Sequence, residues 1–337
     1  MHTVYIEKDI FEEVCMFDDY PNWKQVIASH ANVCINIEED LLDKEIFNPE
    51  SPIFLFLNAY VGAKIPIALK DYFDLINEDI SVVLNHPMSS FILEVSEDKA
   101  NKIRNEYGIA VFSISNLFDD YFSQGFFKEI KKDSRIIDGW KSLISIELPV
   151  SNALVISDNY LFENEERGIN LGMANIPKLL DVFLPPNLSI DFHLLIIAKD
   201  GGKSRDWWVK KVGALKTDIN NLRSYNINLE LVLTKAIHKR RIMSNYLNGW
   251  ADNGFSVFRS YDSELVRMDN DIHLYRIFNN LNSSGDSHFQ SLKRGLEDLK
   301  VICNNVSSFI VNHGESSDYR IFGDCNKYKT IKNRLLS

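Results

Sequence analysis

Short β-branched or apolar runs alternate with segments of helical spacing along most of this chain, and that alternation limits the folds it can adopt. Strands that alternate with helices build layered sheets through right-handed crossover connections. The chain shows no repeat of fixed period, which argues against a solenoid or a propeller. The sequence therefore predicts an α/β fold: two layered α/β domains with mainly parallel sheets flanked by helices.

Five strands are predicted in the N-terminal part, at HTVYIE, ANVCINI, SPIFLFLN, ISVVLN and IAVFSIS. The third run is continuously apolar, as is typical of a parallel strand buried on both faces. SEDKANKIRNEYG predicts a helix with Ser96 as its N-cap and Gly108 as its C-terminal stop. Residues 116–143 have mixed charge and predict further helix, and the boundary is expected there, between domains at 1–138 and 139–337.

The C-terminal part predicts a second set of strands and helices. Its strands are expected at NALVISD, SIDFHLLIIAKD, INLELVLTKAIHKR and GFSVFRS. The predicted helices are NIPKLLDVFLPP, the segment that begins GGKSRDWW, and SHFQSLKRGLEDLKVICNNVSS. RRIMSNYLNGW is predicted to continue as an edge strand or a turn.

Charge is distributed unevenly along the chain, whose formal net charge is −10. Residues 1–140 hold 12 basic and 25 acidic side chains, a balance of −13, whereas residues 199–241 hold 11 basic and 4 acidic, or +7. Such asymmetry favours different partners for the two parts. We expect a protein partner at the acidic domain and nucleic-acid phosphates at residues 199–241. The alternative is that the basic residues form a solvated helix face.

The cysteines and the apolar runs indicate where the protein resides. The four cysteines are scattered and form no CxxC pair, which excludes the common zinc spacings and favours reduced thiols. The first residues lack the apolar stretch of a signal peptide, and the longest apolar runs are interrupted by polar residues and prolines. We expect a cytoplasmic protein without a membrane span, a metal or a cofactor.

Polar residues follow three predicted strands of the C-terminal part. Asp158 ends the first strand, Lys199 and Asp200 follow the second, and His238 follows the third. Ligands of open α/β sheets gather beyond the carboxyl ends of parallel strands. These side chains are therefore expected to meet at one edge of the sheet.

The stretch TKAIHKRRIMSNYLNG places His238, Arg240 and Asn245 at offsets of 0, +2 and +7. This spacing resembles the His-x-Lys-x4-Asp motif of phospholipase-D-like phosphodiesterases. In that family the histidine attacks phosphorus, the lysine steadies the phosphoryl oxygens and the acid orients its neighbours. Residues 139–337 are similar in particular to single-motif versions with a His-x-Arg core. The order of the segments, with an Asp-ended strand first, resembles that group as well.

The resemblance implies a degenerate site in which His238 contacts phosphate, Asp158 orients it, and Lys239, Arg240 and Arg241 hold the anion. An arginine at the lysine position still binds phosphate bidentately. Asn245 cannot accept a proton or carry negative charge, as the family's aspartate does. The resemblance further implies a nucleic-acid-binding component of a bacterial multi-protein system, of the phage-defence or mobile-element kind.

Two alternatives to this interpretation stay open. One is a metal-independent phosphodiesterase or nuclease that acts as a homodimer around His238, because no second copy of the motif is present in the chain. The other is a non-catalytic assembly subunit whose basic stretch docks an acidic protein surface.

Aromatic residues are interleaved with the basic stretch, as in proteins that bind single strands. If a helix begins near residue 204, Trp208 shares a face with Val212 and Leu215 and belongs to the core, whereas Trp207 is more exposed. The predicted phosphate or nucleic-acid contacts are Lys199, Lys203, Arg205, Trp207, Lys210, Lys211, Lys239, Arg240 and Arg241.

Acidic residues also follow the first two predicted strands, among them Asp9, Glu12 and Glu38. Nucleases with PIN-like folds place acids after parallel strands to hold Mg²⁺ or Mn²⁺ through oxygen ligands. Acids in the first turn of a helix also favour the positive end of its dipole. The acids alone do not decide between these two roles.

Overall fold

The computed structural model describes residues 1–117, 124–235, 237, 239–279, 287–324 and 330–336. The chain forms two compact units. The N-terminal unit comprises Met1–Gln124 with Phe278–Gln290, and the C-terminal unit comprises Gly125–Ile277 with Ser291–Ser337. This division differs from the predicted boundary at residue 138, because residues 125–130 form an edge strand of the C-terminal sheet and not a helix. None of the described helices is long and apolar enough to cross a membrane.

A five-stranded, fully parallel sheet forms the centre of the N-terminal unit. Its strands are β1 (His2–Glu7), β2 (Ala31–Asn36), β3 (Ile67–Ala68), β4 (Ser90–Ile92) and β5 (Ala110–Phe112). Its α-helices are α1 (Lys8–Met16), α2 (Pro21–Gln25), α3 (Glu39–Phe47), α4 (Pro52–Ala59), α5 (Lys70–Glu78) and α6 (Glu97–Tyr107). Shorter turns are a π-helix at Val26–His30 and 3₁₀ helices at Ile80–Asn85 and Ile114–Asn116. The strand order is β3-β2-β1-β4-β5.

Two of the five predicted N-terminal strands are wrong. SPIFLFLN forms α4, because Pro52 stands at its first position and the Ser51 hydroxyl accepts a hydrogen bond from the Ile53 N–H at 3.2 Å. A short apolar run has no periodicity that separates a buried strand from a helix. ISVVLN forms the 3₁₀ helix at Ile80–Asn85. By contrast, α6 is confirmed, with Ser96 as N-cap and Gly108 in the left-handed conformation at φ +62°.

The C-terminal unit contains an eight-stranded sheet. The strands of the unit, including a separate two-stranded hairpin, are β6 (Gly125–Ile130), β7 (Ala153–Asp158), β8 (Glu165–Glu166), β9 (Ile169–Asn170), β10 (Phe192–Ala198), β11 (Ile227–Thr234), β12 (Arg241–Ser244), β13 (Leu247–Ala251), β14 (Asn270–Arg276) and β15 (Tyr319–Gly323). Its helices are α7 (Trp140–Leu143), α8 (Leu171–Phe183), α9 (Arg205–Asn220) and, from Ser291 onward, α10 (His288–His313).

The large sheet has the order β15-β11-β10-β7-β12-β13-β14-β6 and is mixed, not mainly parallel as predicted. Among the described strands of this sheet, the parallel pairs are β7 with β10 and β10 with β11. Crossovers that contain α8 and α9 connect them. The other pairs are antiparallel. RRIMSNYLNGW forms the β12–β13 hairpin, and it lies inside the sheet between β7 and β14. GFSVFRS forms no strand and contributes an isolated bridge between Phe258 and Val266.

The two faces of the large sheet are covered by different helices. Leu154, Ile156 and Ile196 pack with α8 and α9 residues such as Trp208, and we call this side the α9 face. Because side chains of a strand alternate between faces, Ser157 and Arg241 point to the opposite side. They line a cavity there together with α10 residues, and we call this side the α10 face.

The segment at residues 330–336 crosses the large sheet and is held by buried polar groups. The Asn333 side-chain amide donates to the carbonyl oxygens of Leu154 and His193 at 3.2 and 3.1 Å. The carboxylate of Glu230 accepts from the Lys332 N–H at 2.6 Å. Burial raises the pKa of Glu230 to about 7, against the hydrogen bonds from residues 332 and 333.

Candidate phosphate-binding site

The parallel strands of the C-terminal unit end level with one another. Ala198 of β10 pairs with Asp158 of β7 and with Leu233 of β11. The predicted convergence of the strand ends is therefore present for Asp158, Lys199 and Asp200. His238 lies outside the described residues.

Asp158 acts as an anchor for two loops at this edge. Its side chain is buried, and its two carboxylate oxygens accept backbone hydrogen bonds from Tyr160 and Phe255, each at 2.9 Å. Burial raises the pKa of Asp158, and the two backbone hydrogen bonds and Arg240 oppose that shift. The Arg240 Nε lies 4.0 Å from the carboxylate. The structure thus gives Asp158 a positioning role, because each of its carboxylate oxygens accepts a backbone hydrogen bond from a different loop.

Lys199 and Arg240 meet over the ring of Tyr160. The Lys199 ammonium and the Arg240 guanidinium each lie 5.2 Å from the centre of this ring. Tyr160 is 42% exposed, so both cations reach the surface at the strand ends. Two cations are thereby held on an aromatic face.

Lys239 and Arg241 line two neighbouring cavities on the α10 face. One cavity, of about 360 Å³, is also lined by Ser157 and Asp298. The other, of about 430 Å³, is also lined by Trp250. The Lys239 carbonyl accepts a hydrogen bond from the Ser157 hydroxyl at 3.1 Å, which fixes the backbone between the two cations.

Arg241 is half-buried beside α10. Its Nη1 donates to the Ser291 carbonyl at 3.4 Å, and a side chain at Gly295 would overlap its guanidinium. Burial lowers the pKa of Arg241, while Asp298 raises it. An arginine stays charged despite such a shift. The cavities therefore contain a cation that is partly removed from solvent, where its attraction for an anion is least screened.

Other cations of the predicted surface are neutralised by carboxylates of the same chain. Lys203 forms an ion pair with Glu165 at 2.6 Å, and Arg205 forms one with Glu315 at 3.0 Å. Further pairs in this stretch join Lys216 to Asp324, Arg223 to Asp181 and Lys235 to Asp318. Because these cations are paired, they offer less charge to a ligand than the sequence count indicates.

Trp207, Lys210 and Lys211 lie on α9. Trp208 is fully buried as predicted, whereas Trp207 is half-exposed and has the Lys203 and Lys211 ammonium groups 5.4 and 6.0 Å from its ring centre. Because α9 covers one face of the sheet and α10 the other, these residues are separated by the sheet from Lys239 and Arg241. The expected continuous basic surface from Lys199 to Arg241 is thus divided between two faces.

Asn245 is not part of the cluster at the strand ends. It is fully buried, and its side-chain oxygen accepts from the N–H groups of Asn152 and Ala153 at 3.0 and 3.2 Å. Since β12 runs antiparallel to β7, Asn245 lies at the opposite end of β7 from Asp158. The structure therefore places Asn245 away from Asp158, where its side chain holds the start of β7.

Sequence reasoning missed Trp250, Asn248 and Asp252, which line the larger cavity with Lys239 and Arg241. The signal was present in the hairpin sequence: with a turn at Asn245–Tyr246, Arg241 pairs with Trp250 and both point to one face. Treating this stretch as an edge strand or a turn concealed the pairing.

The acids of the N-terminal unit do not form a metal site in the described part of the chain. No group of three or more His, Cys, Asp or Glu side chains there could hold a metal ion. Glu7 is a partly buried acid of this unit. Burial raises its pKa, and its carboxylate accepts a hydrogen bond from the Asn36 side-chain amide at 2.6 Å.

Comparisons with known proteins add no identification. No protein-family model matches the chain, and no curated protein sequence matches it.

Proposed function

We propose that the C-terminal unit binds the phosphates of nucleic acids without cleaving them. The observation that carries this proposal is the cluster of four cations at one edge of the sheet: Lys199, Lys239, Arg240 and Arg241. Lys199, Lys239 and Arg241 form no salt bridge within the described residues. Arg240 has one long ionic contact, to Asp158, and donates a hydrogen bond to the Asp252 carbonyl.

The absence of catalysis in this proposal rests on the residues around the cluster. Asn245, at the position of the family's acid, lies at the far end of β7 and is held by Asn152. The Asp158 carboxylate already accepts two backbone hydrogen bonds. Asn245 therefore does not take the place of the family's acid at the strand ends, and Asp158 is engaged in anchoring two loops. The proposed setting, a multi-protein phage-defence system in bacteria, rests on the phospholipase-D-like resemblance alone.

A salt titration tests the proposal. A fluorescently labelled 20-nucleotide DNA or RNA is titrated with the protein between 50 and 200 mM salt, and anisotropy gives the affinity. Release of counterions from about four phosphates weakens binding about 50- to 150-fold over this range. An affinity that is absent, or that does not change with salt, contradicts nucleic-acid binding and leaves the assembly-subunit alternative.

Cleavage of the same oligonucleotides is followed in EDTA. We expect no products from the wild-type protein. Products that disappear in His238→Ala would support the homodimeric phosphodiesterase instead. Cleavage that occurs without EDTA and stops in its presence would indicate a metal-dependent site at the acids of the N-terminal unit.

We also propose that the acidic N-terminal unit contacts a protein partner. Apolar side chains stand exposed between α3 and β3, at Phe47, Leu55, Val61, Ile65 and Ile67. Exposed apolar side chains mark a protein interaction site where they form a contiguous patch. Light scattering across protein concentration tests whether this partner is a second copy. We expect Phe47→Asp with Val61→Asp to lower any self-association, and a monomer at all concentrations would exclude the second copy.

A further inference from the structure

A column of stacked rings crosses the α10 face of the large sheet. Trp250, His273 and Phe127 stand opposite one another on β13, β14 and β6. The ring centres of Trp250 and His273 are 4.8 Å apart with planes 14° from parallel, and those of His273 and Phe127 are 4.7 Å apart at 37°. The first pair is stacked, and the second pair is tilted at a similar distance between ring centres.

One end of the column faces a cationic cavity. The residue opposite Trp250 on the next strand is Arg241, which continues the row. Its guanidinium is turned toward Ser291 of α10, and the cavity of about 430 Å³ opens at this place. Lys239, Asn248 and Asp252 line the same cavity. An aromatic ring, the three cations Lys239, Arg240 and Arg241, an amide and one carboxylate therefore line a space in the size range of small-molecule sites.

This combination fits a planar ring that carries a phosphate. A base on the Trp250 ring would extend the column by one member, and base–aromatic stacking is a common mode of nucleic-acid recognition. Cross-strand pairing alone explains rings that stabilise the sheet. It does not explain why the column ends at a cavity lined by cations.

Acidic residues limit the length of a ligand along this face. Asp252 donates its backbone N–H to the Asp271 carbonyl, and Asp271 pairs with Glu129. In the sheet register, Lys239 lies opposite Asp252 of the next strand segment. Asp252, Asp271 and Glu129 therefore form a row of carboxylates beside the column of rings. They disfavour a run of phosphates along the column and leave the cations at its Arg241 end for a single phosphate group.

We propose that the cavity between Arg241 and Trp250 binds a nucleoside phosphate, with the base stacked on Trp250 and the phosphate at Lys239 and Arg241. The ligand is a free nucleotide or one unit of a single strand, since both present the same ring and phosphate. The inference rests on the proposed phosphate-binding function and specifies its ligand.

Calorimetric titrations with small ligands test the role of the base. AMP and UMP are compared with ribose 5-phosphate, which has the phosphate but no base, and with inorganic phosphate. The stacked base is expected to tighten binding at least about 5-fold over ribose 5-phosphate. Equal affinities for AMP, UMP and ribose 5-phosphate overturn the inference.

Three variants locate the base. Trp250→Leu is expected to remove the advantage of AMP over ribose 5-phosphate, and Trp250→Phe to keep most of it because the ring is retained. Trp207→Leu is the matched control, a half-exposed tryptophan on the α9 face. If Trp250→Leu and Trp250→Phe both leave the advantage of AMP unchanged, or if Trp207→Leu removes it, the proposed position of the base is wrong.

A single-stranded (dT)10 and a duplex of the same length separate this inference from the proposed function. Binding of (dT)10 that Trp250→Leu weakens identifies a strand as the source of the nucleotide. Binding of AMP without binding of either polymer identifies a free nucleotide, and it contradicts the proposed function alone. Equal, salt-dependent binding of strand and duplex that Trp250→Leu does not change keeps the proposed function and overturns the inference.

Discussion

The cations of α9 and those beside β12 differ in what they offer to a ligand. Near the start of α9 the basic residues are dense in sequence, but Lys203 and Arg205 are paired with Glu165 and Glu315. Beside β12, Lys239 and Arg241 line cavities on the opposite face of the sheet. The density of charge along a chain therefore does not measure the charge available at the surface. Carboxylates that are distant in sequence and the alternation of strand residues decide it.

The largest expected effect concerns Asp158, the loop anchor that lies beside Arg240. Asp158→Ala removes two hydrogen bonds to a buried carboxylate and leaves the Tyr160 and Phe255 N–H groups without this acceptor. We expect the free energy of unfolding in urea to fall by about 3 kcal/mol. Asp252→Ala, at an exposed aspartate of the same sheet edge, is the control and should change little. Equal losses in the two variants would contradict the anchoring role of Asp158.

The second prediction tests how far the α10 face excludes water from the Glu230 carboxyl. Glu230 points to this face from β11, and its buried Oε2 has no hydrogen-bond partner among the described residues. Because burial raises its folded pKa to about 7, the folded protein keeps between about pH 5 and 7 a proton that the unfolded chain releases. Its contribution to stability is complete below the unfolded pKa near 4.3 and is lost as the pH rises through about 7.

Glu230→Gln is therefore expected to be more stable than the wild type at pH 8 by about 1–3 kcal/mol, and to show no such gain at pH 4. Urea unfolding at both pH values gives the two differences. Glu163→Gln, at an exposed glutamate, provides the control. A gain that does not depend on pH would show that the Glu230 carboxyl does not titrate in this range.

The third prediction addresses the comparison directly. Neutralising Lys239 and Arg241 together, as Lys239→Gln with Arg241→Gln, should weaken oligonucleotide binding about tenfold at low salt. The slope of log affinity against log salt should become shallower by about 1, because Lys239 and Arg241 together hold one phosphate group. Thermal unfolding of the double variant checks that the half-buried Arg241 is not needed for folding. An unchanged slope in a folded double variant would place the phosphates elsewhere.

The smallest effect is expected on α9. Lys203→Gln with Arg205→Gln breaks two exposed ion pairs and should cost less than about 1 kcal/mol of stability. Oligonucleotide affinity should change less than about twofold, because these cations already have carboxylate partners. A loss of oligonucleotide affinity as large as that of the Lys239 and Arg241 double variant would show that the α9 cations also bind phosphates.

The sequence identified the parts of the fold that local pattern determines. β7, β10 and β11 are long apolar runs with helices between them, and their parallel order followed from that pattern. The prediction from sequence was wrong where one hydrophobic pattern is compatible with both a helix and a strand. SPIFLFLN became α4 because Ser51 caps it, and β6 was hidden in a stretch of mixed charge.

The site was less accessible to sequence reasoning than the fold. Asp158 and Lys199 could be predicted because strand ends are marked in the sequence. The pairing of Lys203 with Glu165, or of Arg205 with Glu315, depends on loops whose approach no local pattern records. Asn245 was misplaced because the turn of the β12–β13 hairpin sends it to the other end of β7.

The edge strands of the large sheet have a consequence for how the C-terminal unit is made. β6 comes from residues 125–130 and β15 from residues 319–323, on opposite edges of one sheet. During synthesis, the outer edge of β11 therefore stays unpaired until β15 has left the ribosome. A nascent or truncated chain that stops before Tyr319 leaves the β11 backbone open to pairing with other chains, which makes early termination an aggregation hazard.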